Sequence, residues 1–221
     1  MSRCVLGVAC SPRAGGNSEL LVQKALAGAE SAGATVELIA LRDLEIAPCQ
    51  ECNACLSSGE CPLDDDFPKV LEKLLACDCL IMAVPIFFMS LTADAKALIE
   101  RCQCLWACKY VLRQPLFPDR QRDRRAMLIS VAGTKSEQMF ECVTLTLKYW
   151  LDVLEIKHVS SLFVNQIDAR GDILKHPSAL DEAFRLGQEL VVRPQAPDKP
   201  EVVRLFGGLS SETALSGEDS P

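Results

Sequence analysis

Short apolar segments alternate with longer amphipathic segments along most of this chain, and this alternation most constrains its fold. Apolar runs of strand length, separated by helices of ten or more residues, are typical of a parallel sheet covered by helices on both faces. The predicted strands lie at residues 3–9, 35–40, 79–84, 125–131 and 158–164. The predicted helices lie at residues 17–32, 67–76, 92–108, 137–154 and 178–191. The alternation therefore predicts an α/β fold with a doubly wound, five-stranded parallel sheet.

The length of the chain sets the expected number of domains. With 221 residues, of which 49% are hydrophobic, the chain can bury one full core. We expect a single domain over residues 1–194, with a cysteine-rich loop at residues 46–64. Residues 195–221 are rich in proline, serine, glycine and acidic residues, so we expect a tail or an arm that orders on a neighbouring subunit.

Charge and hydropathy argue against two classes of partner. The formal net charge of −7 would repel the phosphates of a nucleic acid. The longest apolar run, residues 80–93, is too short to span a bilayer and contains Pro85. A buried first strand explains residues 3–9 better than a secretion signal does. We therefore expect a cytoplasmic protein with no nucleic-acid partner and no membrane segment.

Four of the twelve cysteines fall within thirteen residues, at Cys49, Cys52, Cys55 and Cys61. Iron–sulfur clusters are held by short cysteine runs of this kind, since closely spaced thiolates can converge on one inorganic core. A structural zinc site would also use four cysteines, although its ligands usually come as two separated pairs. Unmetallated or redox-active thiols are a third interpretation. The run favours a cluster, and hence electron transfer, and leaves the other two open.

The loop after the first predicted strand is a candidate phosphate-binding site. It has the sequence Ser-Pro-Arg-Ala-Gly-Gly-Asn-Ser over residues 11–18 and leads directly into a predicted helix. Backbone N–H groups and the positive end of the helix favour an anion there. The loop matches neither the dinucleotide-binding fingerprint nor the P-loop, and a glycine pair before a helix is also an ordinary turn. Its position after the first strand, where ligands of open parallel sheets bind, favours the phosphate interpretation.

Four motifs, in this order, resemble the flavodoxin-like NAD(P)H-dependent FMN reductase superfamily, and within it the iron–sulfur flavoproteins. They are the loop at residues 11–18, the cysteine run, Pro-Ile-Phe-Phe-Met-Ser at residues 85–90, and Lys-Ala-Leu-Ile-Glu-Arg at residues 96–101. The resemblance covers roughly residues 1–190. It implies a flavodoxin-like fold that binds FMN and a [4Fe-4S] cluster.

The resemblance also implies which residues bind these groups. The FMN phosphate would be bound by Ser11, Arg13, Asn17 and Ser18. The isoalloxazine ring would be bound by Pro85, Ile86, Phe87, Phe88, Met89, Ala132, Gly133 and Thr134. The cluster ligands would be Cys49, Cys52, Cys55 and Cys61. The family's usual tyrosine and glycine in the ring loop are here Phe87 and Met89, and Lys96 and Arg101 are expected in support or interface roles.

The function implied by the resemblance is that of an FMN-dependent oxidoreductase with a cluster. It would pass electrons between a one-electron donor such as a ferredoxin-like protein, or NAD(P)H, and a two-electron acceptor such as a quinone, oxygen or peroxide. Assembly into a homodimer or homotetramer is implied as well. The alternatives are an NAD(P)H-dependent FMN or quinone reductase without a cluster, and a non-catalytic electron carrier or redox sensor. No catalytic triad or carboxylate pair stands out in the sequence, so no catalytic side chain is predicted.

Overall fold

A parallel sheet forms the centre of the protein in a computed structural model that describes residues 2–117 and 123–207. Its strands are Cys4–Ala9 (β1), Thr35–Ala40 (β2), Cys79–Pro85 (β3), Arg125–Val131 (β4), Lys157–Asn165 (β5) and Glu201–Phe206 (β6). Their order across the sheet is β2-β1-β3-β4-β5-β6, and every neighbouring pair is parallel. The predicted flavodoxin-like, doubly wound α/β architecture is confirmed.

Helices cover both faces of this sheet. The α-helices are Asn17–Ser31 (α1), Cys55–Ser58 (α2), Phe67–Ala76 (α3), Ala93–Arg101 (α4), Gln103–Trp106 (α5), Glu141–Val153 (α6) and Ala179–Val192 (α7). Turns of 3₁₀ helix lie at Leu41–Asp43, Glu137–Phe140 and Asp172–Lys175, and a π-helical turn lies at Ala107–Val111. Helices α1 and α7 cover one face, and α3 to α6 cover the other. Within the described residues, no helix combines the length and the apolar character that a bilayer crossing requires.

Strand β3 shows how one apolar run contributes to two cores. Leu80, Met82 and Val84 pack in the core beneath α3, α4 and α6. Ile81 and Ala83 pack in the core beneath α1 and α7. Because successive side chains of a strand point to opposite faces, a strand covered on both sides has to be apolar throughout. The uninterrupted apolar runs of the sequence follow from this arrangement.

The sheet has six strands, so the predicted count of five is wrong. The sixth strand, Glu201–Phe206, pairs with β5 and comes from the segment expected to form a tail or an arm. Its residues alternate: Val203 and Leu205 pack against the core beneath α7, whereas Val202 and Phe206 are about half exposed. A half-exposed strand gives no continuous apolar run, and the surrounding prolines and charges conceal it further. Residues 208–221, the rest of the expected tail, lie outside the described residues.

Helices α1 and α7 approach each other closely because each has a glycine at the contact. A Cβ atom at Gly28 would lie 2.1 Å from the carbonyl oxygen of Phe184. A Cβ atom at Gly187 would lie 2.0 Å from the carbonyl oxygen of Ala25. Both distances are far shorter than the optimal contact of about 3.5 Å or more between non-bonded heavy atoms. The position of α1, which begins at the loop of residues 11–18, therefore depends on these two glycines.

We predict that Gly187→Ala destabilises the protein, although alanine is favoured over glycine in a helix by roughly 1 kcal/mol. The new methyl group would overlap the backbone of Ala25, which should lower the free energy of unfolding by about 1 to 3 kcal/mol. Urea denaturation followed by circular dichroism measures this change. Glu30→Ala, at an exposed position of α1, is the control and should change stability by less than about 0.5 kcal/mol. A stabilised Gly187→Ala protein would show that the helices do not touch there.

Candidate functional site

Three loops meet at the carboxyl edge of the sheet, where β1, β3 and β4 end side by side. The backbone pairing runs beyond the strands: Cys10 N donates to Ala83 O, and Ile86 N donates to Val131 O, both at 2.9 Å. Of the residues predicted to bind FMN, those that line the cleft between the loops are Ser11, Arg13, Asn17, Ser18, Pro85, Ile86, Phe87 and Gly133. The other four do not line this cleft: Phe88, Met89, Ala132 and Thr134. The fold therefore brings eight of the twelve predicted FMN-binding residues together at one cleft.

The first loop ends in a helix start that has free donors. Helix α1 has Gly16 as its N-cap, with no side-chain cap, so the N–H groups of its first turn lack intrahelical acceptors. A Cβ atom at Gly16 would lie 2.9 Å from the Ser11 hydroxyl oxygen, which keeps a larger residue out of this turn. The side chain of Glu19 accepts from Gly15 N at 2.9 Å and is paired with Arg42 at 2.7 Å. Glu19 thus fixes the backbone of the loop at Gly15. The N–H groups at the start of α1 remain available to bind an anion.

Ser18 gives the clearest sign of a missing partner in this cleft. Its side chain is 2% exposed, and its hydroxyl oxygen has no hydrogen-bond partner among the described residues. Buried polar groups are nearly always hydrogen-bonded, because an unpaired one costs roughly 1 to 3 kcal/mol. The hydroxyl lies in the first turn of α1 and lines the cleft. A ligand with an acceptor oxygen at the helix start would satisfy it.

Asn17 has contacts that the sequence did not predict. Its side-chain amide donates to Ala169 O at 2.9 Å, and its side-chain oxygen accepts from Gly171 N at 3.0 Å and Ile173 N at 3.3 Å. These bonds attach the loop after β5 to the start of α1. Asn17 lines the cleft, but its structural role is to hold two loops together; its role in phosphate binding stays a prediction.

The loop after β5 adds residues that the sequence analysis missed. Asp168 and Arg170 line the same cleft, and Gly133 comes so near that its Cβ would lie 3.2 Å from the Asp168 carboxylate oxygen. Arg13 and Arg170 are both exposed, and neither forms an ion pair with a described residue. Two cationic side chains therefore line the same cleft as the unpaired hydroxyl of Ser18. The signal for Arg170 was its position just after the fifth strand, at the same sheet edge.

The loop after β3 is a strained turn. Phe87 N donates to Ser90 O at 3.0 Å, and Ser90 N donates to Phe87 O at 2.9 Å. The two residues between them are left-handed, with φ of +48° at Phe88 and +59° at Met89. Such a pair of left-handed residues is the type I′ turn, which favours asparagine and glycine. Strain of this kind is concentrated at ligand-binding sites.

The four cysteines of the run line one cleft, whose other wall is the junction of α4 and α5 at Glu100, Arg101, Gln103 and Cys104. Cys52 is exposed, and the other three are partly buried. Burial raises the pKa of the Cys55 thiol, and the nearby thiol groups of Cys49, Cys52 and Cys61 raise that pKa further. The fold therefore brings the four predicted cluster ligands to one cleft.

The backbone around these cysteines turns sharply. Glu51 and Asn53 are left-handed, with φ of +52° and +61°, and Ala54 next to them is right-handed. A left-handed residue beside a right-handed one turns successive N–H groups into a concavity that suits anions, including iron–sulfur centres. Gly59, with φ of +76°, ends α2, and a Cβ there would lie 2.7 Å from the sulfur of Cys108. The return of the chain from Cys55 to Cys61 thus requires glycine.

The base of the cysteine loop is closed by two aspartates. Asp65 accepts from Ala47 N and Asp66 accepts from Glu45 N, both at 3.0 Å. Asp66 N also donates to Glu45 O at 3.0 Å. In the sequence these aspartates suggest only a favourable charge at the start of α3, whereas in the structure they also join the two ends of the loop.

Among the described residues, the four cysteines of this cleft do not form a site for a single metal ion. Over residues 2–117 and 123–207, no group of three or more His, Cys, Asp or Glu side chains could hold one metal ion. A zinc site needs all of its sulfurs about 2.3 Å from one centre. In a [4Fe-4S] cluster each cysteine binds a different iron, so the four sulfurs lie farther apart. The chemistry of four cysteines around one cleft is compatible with such a cluster.

We predict that Phe88→Gly stabilises the protein, because it relieves the strained turn at little cost in packing. The Phe88 side chain is fully exposed, so its removal loses no buried contact. Relief of the left-handed strain stabilises the folded protein by roughly 1 to 2 kcal/mol. Glycine also makes the unfolded chain more flexible, which offsets roughly 0.5 to 1 kcal/mol of this gain. The free energy of unfolding should therefore rise by about 0.5 to 1 kcal/mol. Urea denaturation measures it. Phe87→Gly, outside the left-handed pair, is the control and should destabilise; a similar loss in Phe88→Gly would contradict the strain.

Known proteins resemble this chain in sequence and in fold. The profile of the family described as NADPH-dependent FMN reductase matches residues 4–168. An iron–sulfur flavoprotein of Methanocaldococcus jannaschii is 39% identical over 101 residues, which cover 46% of this chain and 52% of that protein. An iron–sulfur flavoprotein of Methanosarcina thermophila is 33% identical over 109 residues, which cover 49% of this chain and 57% of that protein. The chain thus spans little more than half the length of these curated relatives.

A solved structure, the NAD(P)H:quinone oxidoreductase from Methanothermobacter marburgensis, superposes with a TM-score of 0.66 at 21% identity, over 86% of this chain and 96% of that one. At this identity the likeness supports the fold alone. The family profile, by contrast, extends from β1 through β5 and includes every residue that lines the two candidate clefts except Arg170. The predicted family is therefore confirmed, and the chain belongs to the NADPH-dependent FMN reductase family.

Proposed function

We propose that this protein is an oxidoreductase that binds FMN at the sheet edge and a [4Fe-4S] cluster in the cysteine cleft. It passes electrons between a ferredoxin-like one-electron donor, or NAD(P)H, and a two-electron acceptor such as a quinone, oxygen or peroxide. The observation that carries the proposal is the single cleft lined by Cys49, Cys52, Cys55 and Cys61. The names of the archaeal relatives support it.

At the sheet edge, the chain's own groups would bind the phosphate end of the flavin. The Ser18 hydroxyl and the first-turn N–H groups of α1 donate hydrogen bonds, and Arg13 and Arg170 supply positive charge. The turn at residues 87–90 would limit access of water to one side of the ring. When bound, the flavin supplies hydride and single-electron chemistry, and the cluster supplies single-electron transfer.

In the cysteine cleft, the chain would hold the cluster through its four thiolates. Because burial raises the pKa of the Cys55 thiol, cluster binding has to displace the proton of this thiol. The bonds from Asp65 and Asp66 to the other end of the loop keep the four side chains near one another before any metal binds.

Assembly into a homodimer or homotetramer is part of the proposal. Large apolar side chains are exposed on α6 near this cleft, with Leu145 at 72% and Tyr149 at 61%. The groove that they line also contains Glu100 and Gln103, which line the cysteine cleft as well. A second subunit on this groove would shield the apolar side chains and adjoin the cluster.

Ser18→Ala tests the phosphate site separately from the fold. Loss of a buried, unpaired hydroxyl should raise the stability of the flavin-free protein by about 1 kcal/mol, and loss of a hydrogen bond to a charged group should weaken FMN binding by about tenfold. Fluorescence titration with FMN and with riboflavin, which has no phosphate, measures both affinities. Ser31→Ala, at the other end of α1, is the matched control. Equal weakening for the two flavins would contradict phosphate binding by Ser18.

Cys55→Ala tests the cluster. We expect the variant to lose most of the iron and acid-labile sulfide that the unaltered protein carries after anaerobic purification, whereas Cys142→Ala, exposed on α6, should keep both. Metal analysis, visible absorption and EPR after dithionite reduction are the measurements. A flavin-only spectrum of the unaltered protein would favour an NAD(P)H-dependent FMN or quinone reductase without a cluster. Cluster-dependent binding of a partner without turnover of NAD(P)H would favour a carrier or sensor.

A further inference from the structure

Arg101, the last residue of α4, lies directly against the cysteine cleft. Its side chain is 0% exposed, and its Nε donates to the sulfur of Cys61 at 3.2 Å. Among the described residues, Arg101 is the only cationic side chain that lines the cleft. A buried cation therefore donates a hydrogen bond to one of the four proposed ligands, Cys61, and to none of the other three.

The guanidinium group is fixed by its remaining bonds. It forms an ion pair with Asp65 and donates to Ala47 O at 3.0 Å. Its planar group lies 4.6 Å from the centre of the Phe67 ring. These contacts come from both ends of the cysteine loop and from α3. These contacts hold the group with its Nε–H directed at the Cys61 sulfur.

A donor held in this way affects a cluster more strongly in one redox state than in the other. Each electron added to an iron–sulfur centre increases the negative charge on its cysteine sulfurs. Hydrogen bonds to these sulfurs and nearby charges are known determinants of cluster potential. The Asp65 carboxylate partly offsets the charge of the guanidinium, but the directed hydrogen bond to Cys61 remains.

We propose that Arg101 raises the reduction potential of the cluster by donating its Nε–H to Cys61, an inference that rests on the proposed function. The donor stabilises the reduced centre relative to the oxidised one. Arg101 thus sets the potential at which the cluster accepts an electron, and it also supports the cysteine loop. Its role is specific to Cys61, since the bond reaches that sulfur alone.

The test is a redox titration of the cluster, followed by EPR, in Arg101→Met and Arg101→Lys. At a fixed potential, Arg101→Met should decrease the ratio of reduced to oxidised cluster by about tenfold, which is 59 mV for one electron. Arg101→Lys retains the positive charge but lacks the planar guanidinium with its several N–H donors. It should therefore change the ratio of reduced to oxidised cluster by less than Arg101→Met does. The control is Arg124→Met. Arg124 is also buried and bonds to Cys77 O at 3.0 Å, with its guanidinium 4.9 Å from the Phe117 ring.

Arg124→Met should lose stability and leave the ratio unchanged. An unchanged potential in a cluster-loaded Arg101→Met protein would overturn the inference and leave the proposed function intact. Absence of iron and sulfide from the anaerobically purified, unaltered protein would overturn both.

A measurement on the unaltered protein covers the case in which Arg101→Met does not bind a cluster. The protein is labelled with ¹⁵N-arginine, and the reduced cluster is examined by pulsed EPR. A ¹⁵N coupling is expected, because Nε of Arg101 is hydrogen-bonded to a ligand sulfur. A cluster signal without any ¹⁵N-arginine coupling would contradict the inference.

Discussion

The parallel pairing of β1, β3 and β4 is the constraint on which the site depends, because it ends three adjacent strands at one edge of the sheet. Backbone bonds such as Cys10 to Ala83 and Ile86 to Val131 extend this register into the loops. Because these bonds fix the first residue of each loop, residues later in the loop can adopt backbone conformations that would otherwise be unfavourable. The left-handed Phe88 and Met89 are tolerated next to such an anchor.

The two candidate clefts are supported by different layers of the protein. The first loop depends on α1, whose contact with α7 at Gly28 and Gly187 belongs to one core. The cysteine loop packs on the other core, through Cys55 and Cys61. Its ends are joined by protein hydrogen bonds, unlike those of small zinc domains that fold only with metal. The two clefts therefore depend on separate sets of contacts.

The sequence predicted those features that depend on local pattern. Apolar runs located the first five strands, and turn residues located the loops at the sheet edge, because both signals lie within a few neighbouring residues. Strand β6 was missed because its residues alternate between partly buried and exposed, and none is fully buried. The roles of Asn17 and Arg170 were also hidden, since each depends on a loop more than 150 residues away in the chain. Contacts of this range leave no periodic signal.

Arg101 shows why a buried charge is informative at a site like this one. An isolated ion pair in a protein interior is weak evidence for stability, since apolar residues of similar shape often serve as well or better. The pair of Arg101 and Asp65 therefore needs a reason other than stability. Asp65 holds the base of the cysteine loop, and Arg101 reaches from α4 to the sulfur of Cys61. An apolar side chain would fill the same space, but it could not donate a hydrogen bond to a thiolate. Under the proposed function, the arginine is better explained by the negative charge that a reduced cluster would place on this sulfur than by the packing around it.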